Sequence, residues 1–133
     1  MKCLCIYNHK DGTSYLADAE WRTHAGDFTP PSPAGYSTTE ELTSKAVLMM
    51  HHPAGYKDEW HRAPAPVLAT VLRGTVRIAT SDGDSRVLEP GAQFVAADLQ
   101  GQGHKIEEVD GAAYDLALVV LDARPSSKDL VPQ

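Results

Sequence analysis

Residues 66–80 read PVLATVLRGTVRIAT, and the fold class turns on how that stretch is parsed. Its apolar run is rich in β-branched residues and stops at Arg73-Gly74, after which Thr75 begins a second, alternating run. Short runs of this kind bounded by turn residues are the signature of strands. The stretch is therefore predicted to be two strands folded about Arg73-Gly74.

The same reading extends outward in both directions. TSDGDSRVL (80–88) is a hairpin whose Asp82-Gly83 step supplies the positive φ angles of a tight turn. Pro90-Gly91 ends that arm and starts AQFVAAD; GQGHKIEEV and AAYDLALVVLD follow as further strands. Upstream lie CLCIY, SYLADAEW and AVLMMHH. Residues 26–40, GDFTPPSPAGYSTTE, hold three prolines and two glycines and are expected to form a surface connector or arm. Ser37 to Glu41 could cap one helical turn. The tail ARPSSKDLVPQ reads as draped or frayed. Eight or nine short strands without a helix of real length define an all-β domain, a sandwich or small barrel.

At 133 residues the chain is one domain, large enough to bury its own core. Within it, residues 1–45 supply N-terminal strands and the proline-rich arm, 46–122 the barrel and 123–133 the tail. Twelve basic residues against 18 acidic ones leave a net charge of -6, and the Lys and Arg are scattered. Such a surface repels phosphate backbones and anionic lipid, so neither nucleic acid nor membrane is expected as a partner. Cys3 and Cys5 stand two apart on one strand, on the same face and too strained to bridge. They read as small buried residues in a reducing compartment, with a Cys-x-Cys metal pair as the alternative. With no signal-type or membrane-length apolar run, the expected location is cytoplasmic.

Residues 51–121 resemble the cupin superfamily, small jelly-roll β-barrels carrying two short motifs separated by a hairpin. The first motif would be WHRAPAPVLATVLRG, ending on Gly74, and the second LEPGAQFVAADLQGQGH, ending on His104. The resemblance implies a cupin-type jelly-roll fold and a site inside the barrel. In metal-binding cupins the first motif supplies two histidines and a glutamate, and the second one histidine. Residue by residue, those positions fall on His61, on or near Ala63, on Val67 and on His104. An apolar side chain therefore stands where the acid would be.

His61 and His104 are the expected catalytic pair, either ring able to serve as general base near neutral pH. Asp98 could be a ligand, an acid or the group that orients an imidazole. Tyr114 and Asp115 alternate on the last long strand, so one of them faces inward. Asp98, Tyr114, His52 and Trp60 are the expected ligand-binding residues. A third metal ligand could come from His52 or His51, only one of which can enter the barrel. Together with His61 and His104 it would suit one divalent metal: iron, nickel or zinc.

Three readings follow. The first is a small-molecule-binding cupin with an apolar pocket and an atypical, metal-free site. The second is a metal-dependent dioxygenase or isomerase using three histidines, and the third a non-catalytic interaction module. The resemblance also implies a homodimer, with CLCIY either closing the sheet or crossing to a partner.

Overall fold

The computed structural model describes residues 1–26 and 34–133, so residues 27–33 of the proline-rich arm lie outside the described part. In chain order the strands are β1 (Lys2–Asn8), β2 (Ser14–Trp21), β3 (His24–Ala25), β4 (Ser37–Thr38), β5 (Ser44–His52) and β6 (Val67–Arg73). They continue with β7 (Val76–Thr80), β8 (Ser85–Leu88), β9 (Gln93–Ala96), β10 (His104–Glu108), β11 (Tyr114–Leu121) and β12 (Leu130–Pro132). Among the described residues there is no helix, and none is therefore long and apolar enough to cross a membrane.

The protein is an all-β sandwich. A seven-stranded sheet runs β12-β2-β1-β9-β6-β11-β5, and a three-stranded sheet runs β10-β7-β8. Both sheets keep open edges, so the expected closed barrel is not formed. Pairing is antiparallel except between β1 and β9, where Leu4, Cys5 and Ile6 register with Phe94, Val95 and Ala96.

The pattern in CLCIY explains the position of β1. Cys3, Leu4, Cys5 and Ile6 are all buried, so the strand has core on both faces. Leu4 and Ile6 join Val71, Ile78, Phe94 and Leu116 between the sheets. Cys3 and Cys5 point the other way, with Trp21, Val95 and Leu130, on the outer side of the large sheet. An unbroken apolar run is what a strand covered on both sides requires. Full burial of a Leu, Ile or Phe is worth roughly 1.5–3 kcal/mol. Hence β1 is interior to its own sheet, hydrogen-bonded to β2 and β9.

Three further expectations are corrected. The stretch expected to cap a helical turn instead supplies β4, which pairs with β3 in a two-residue ribbon. The tail is no loose end: Leu130 is buried and β12 pairs with β2 through Leu130↔Trp21 and Val131↔Glu20. Its Pro132 is tolerated because an edge strand needs no outward N–H donor. At the β7–β8 hairpin, only Gly83 adopts positive φ (+90°), and Asp82 caps the turn by accepting from Thr80 Oγ1 and the Asp84 N–H.

Candidate functional site

Alternation along β5 and β11 decides what faces the space between the sheets. Leu116 registers with Met50, Leu118 with Leu48 and Tyr114 with His52, so these six share the inner face. His51 points outward and bonds through Nδ1 to Asp115, which also takes Arg73 Nε at 3.0 Å. The inner face opens into a cleft of about 450 Å³, walled by Leu48, Met50, Val67, Phe94, Leu116 and Ile106. His52, Tyr56, Asp58, His61 and His104 supply its polar groups.

His61 and His104 come together through the backbone. His61 N–H donates to the His104 carbonyl at 3.0 Å, and His104 N–H donates to the His61 carbonyl at 2.9 Å. This isolated antiparallel bridge leaves the two rings 4.6 Å apart, tilted by 58°. Gly103 makes the approach possible. Its φ is +79°, and a Cβ there would overlap the His61 carbonyl. The Gly103 carbonyl accepts the hydroxyl of buried Ser14 at 2.6 Å, and Ser14 in turn exchanges hydrogen bonds with Ser81. The start of β2 and the β7–β8 hairpin thus hold the GQGH loop in place.

Each ring is oriented by its Nδ1. His61 Nδ1 lies 2.8 Å from the Glu59 carbonyl and 3.5 Å from Asp58 Oδ2. A carbonyl only accepts, so that nitrogen carries the hydrogen. His104 Nδ1 lies 2.7 Å from Asp98 Oδ2, with His104 3% and Asp98 0% exposed. With the carboxylate accepting, His104 also keeps its hydrogen on Nδ1, and Nε2 remains the free nitrogen of each ring. Asp58 Oδ2 additionally accepts the Ile106 N–H at 2.9 Å, pinning the loop before His61 onto β10.

The other expected residues take different places. Asp98 stands behind His104 and does not reach the cleft wall. Trp60 is half exposed and lies away from the wall. Tyr114 is buried beneath His52, whose ring stacks on it at 4.3 Å and meets Tyr56 edge-on at 4.7 Å. Burial holds the His52 pKa below the usual imidazole value and pushes that of Tyr114 up. Among the described residues, His52 Nδ1, Tyr114 Oη and Asp98 Oδ1 are buried without a hydrogen-bond partner. Unpaired buried polar atoms are uncommon; of these three, His52 is on the cleft wall, with Tyr114 and Asp98 directly behind it.

The three-histidine constellation expected from the sequence is not assembled. His61 and His104 are together, but His52 is engaged by the two tyrosines. Ala63 is packed in the core and Val67 lies on the apolar wall. Among the described residues, no group of three or more His, Cys, Asp or Glu is placed to hold a metal ion. Tight sites need at least three protein donors; His61 and His104 are the two imidazoles brought together, with His52 and Asp58 elsewhere on the cleft wall.

Asp58, the Glu59 carbonyl, Tyr56 and Ser14 were not singled out from sequence. The WH step of the first motif placed His61, but what its ring would hydrogen-bond to depends on a loop with no regular pattern. A wider groove of about 810 Å³ beside β1 and β8 is a weaker candidate. Its guanidinium, Arg86, is already engaged by Asp84 at 2.8 Å and Asp18 at 3.6 Å. No protein-family model matches the chain, and no curated protein matches it.

Proposed function

We propose that this chain is a small-molecule-binding protein of the cupin type, a jelly roll whose ligand lies in the cleft between the sheets. The observation that carries this reading is the buried Asp98–His104 pair at a largely apolar wall, with the His61 ring 4.6 Å from that of His104. Pockets for small molecules are mostly apolar, with a few placed polar groups that fix orientation. With both Nδ1 atoms committed, the two Nε2 lone pairs select a small, largely apolar molecule that carries a hydrogen-bond donor.

The same arrangement is equipped for acid–base chemistry without a metal. A carboxylate on Nδ1 holds the ring in one orientation and stabilises the imidazolium that forms when Nε2 takes a proton. His104 would be the base and His61 the neighbouring group that returns or steadies the proton. Two free, buried cysteines, Cys3 and Cys5, accord with a cytoplasmic setting.

The test is a thermal-shift screen of small aromatic and aliphatic alcohols, phenols and carboxylic acids, repeated on His104→Gln, His61→Gln and His51→Gln. Hits should stabilise the wild type and His51→Gln and lose that effect in the other two variants. Hits that stabilise all four proteins equally would place the ligand elsewhere and defeat the proposal.

A further inference from the structure

The edges of the two sheets are not alike. β12 has three residues and ends on Pro132; β8 has four and carries Arg86; β10 carries Lys105, Glu107 and Glu108. Short length, proline and charge are the ordinary means by which edge strands avoid pairing with other chains. β5 has none of these. It runs nine residues, Ser44–His52, with Lys45 as its only formally charged side chain at neutral pH.

Both faces of β5 are apolar and open. Val47 is 61% and Met49 70% exposed on the outer face, and Leu48 50% and Met50 38% on the cleft face. Leu72, on β6 and separated from β5 by β11, is a further exposed apolar side chain of this sheet. Soluble monomers seldom leave a contiguous apolar patch larger than a few hundred Å² in water.

We propose that β5 is the interface of a homodimer, pairing antiparallel with β5 of a second copy about a twofold axis at Leu48. Full overlap of the nine residues sets Leu48 opposite the partner's Leu48 and Val47 opposite the partner's Met49. The same register sets Lys45 opposite the partner's His51, which is hydrogen-bonded to the Asp115 carboxylate. The strand is thus self-complementary: apolar at its centre, with its one cation against the His51–Asp115 pair, whose carboxylate Arg73 also meets, and no like charges directly opposed across the two strands. Such an isologous contact is what a closed dimer requires.

The cleft is affected directly. Directly opposed residues of an antiparallel pair lie on the same face of the sheet. The partner's Leu48 and Met50 therefore continue the apolar wall beyond β5, and each cleft is completed by the other copy. What this means for a ligand rests on the proposed function above; the interface does not, and its test contains no ligand.

The first measurement is sedimentation equilibrium of the full chain. The wild type should have twice the chain mass, and Val47→Glu/Met49→Glu should weaken association roughly thirtyfold or more, as expected for central interface residues. Circular dichroism checks that the variant stays folded, and Val87→Glu, on the edge strand β8, should leave the dimer intact. The second measurement is oxidative cross-linking. Leu48→Cys should give a covalent dimer on a non-reducing gel, whereas Val47→Cys, two positions out of register with its own copy, should not. A monomeric wild type, or a folded Val47→Glu/Met49→Glu variant that still dimerises, overturns the interface. A wild-type dimer in which Leu48→Cys fails to cross-link overturns the twofold pairing and the shared cleft.

Discussion

Replacing Gly103 with alanine tests how the two histidines are brought together. Two costs add at this position. An L-residue held at φ +79° pays roughly 1–2 kcal/mol for the left-handed backbone. The new Cβ would also overlap the His61 carbonyl, so the bridge of 3.0 and 2.9 Å hydrogen bonds must open. Each of those bonds is worth about 1 kcal/mol net. Gly103→Ala should therefore cost about 3–4 kcal/mol. Gly83→Ala is the control: its φ is +90°, but nothing lies within 4 Å of the added carbon, so only the backbone cost of roughly 1–2 kcal/mol applies. Urea denaturation of the two variants gives the difference, and ring-proton NMR of His61 and His104 shows whether the pair has separated. Equal losses in the two variants, with unmoved ring resonances in Gly103→Ala, would refute the reasoning.

Three other outcomes follow from the site. His104→Ala strands the fully buried Asp98 carboxylate and should cost about 3–5 kcal/mol; adding Asp98→Ala should cost at least about 1 kcal/mol less than the sum of the single losses, measured by a denaturation cycle. Ser14→Ala removes the hydroxyl that holds the Gly103 carbonyl at 2.6 Å and should lower stability by about 1–3 kcal/mol, with the same two histidine resonances shifting. Burial lowers the folded-state pKa of His52 below its ordinary 6.5, so above that pH His52 adds no pH dependence. As pH falls from 6.5 through the lower folded value, the unfolded chain takes the proton first and stability is lost. His52→Phe should lose less on going from pH 7.5 to pH 5 by urea midpoint, and an identical loss would remove His52 from the account.

What the sequence made legible was local. The strands on either side of Arg73-Gly74, the Gly83 hairpin and the alternation of β11 all lie within a few residues of the features that specify them. The motif order likewise placed His61 and His104 at one site, although they are far apart in the chain. What stayed hidden depends on distant partners. Cys3 to Ile6 form an interior strand only because β9 supplies a parallel neighbour and Trp21 and Leu130 cover the outer face. The tail reads as loose because Pro132 and its polar neighbours carry no strand pattern, and β2 supplies the pairing. Which of His51 and His52 faces the cleft depends on the register with β11, which sets His52 opposite Tyr114. Asp98 could be named but not placed, since a strand-end carboxylate can face either the cleft or the ring behind it.

The central claim is that His61 and His104 present their Nε2 atoms to a molecule in the cleft. The most direct measurement is long-range proton–nitrogen NMR of the histidine rings, recorded as a screening hit is titrated in. The account predicts that the Nε2 resonances of His61 and His104 move with the ligand while those of His9, His24 and His51 stay fixed. A saturating ligand that leaves both cleft resonances unmoved, or that shifts His51 instead, would contradict it.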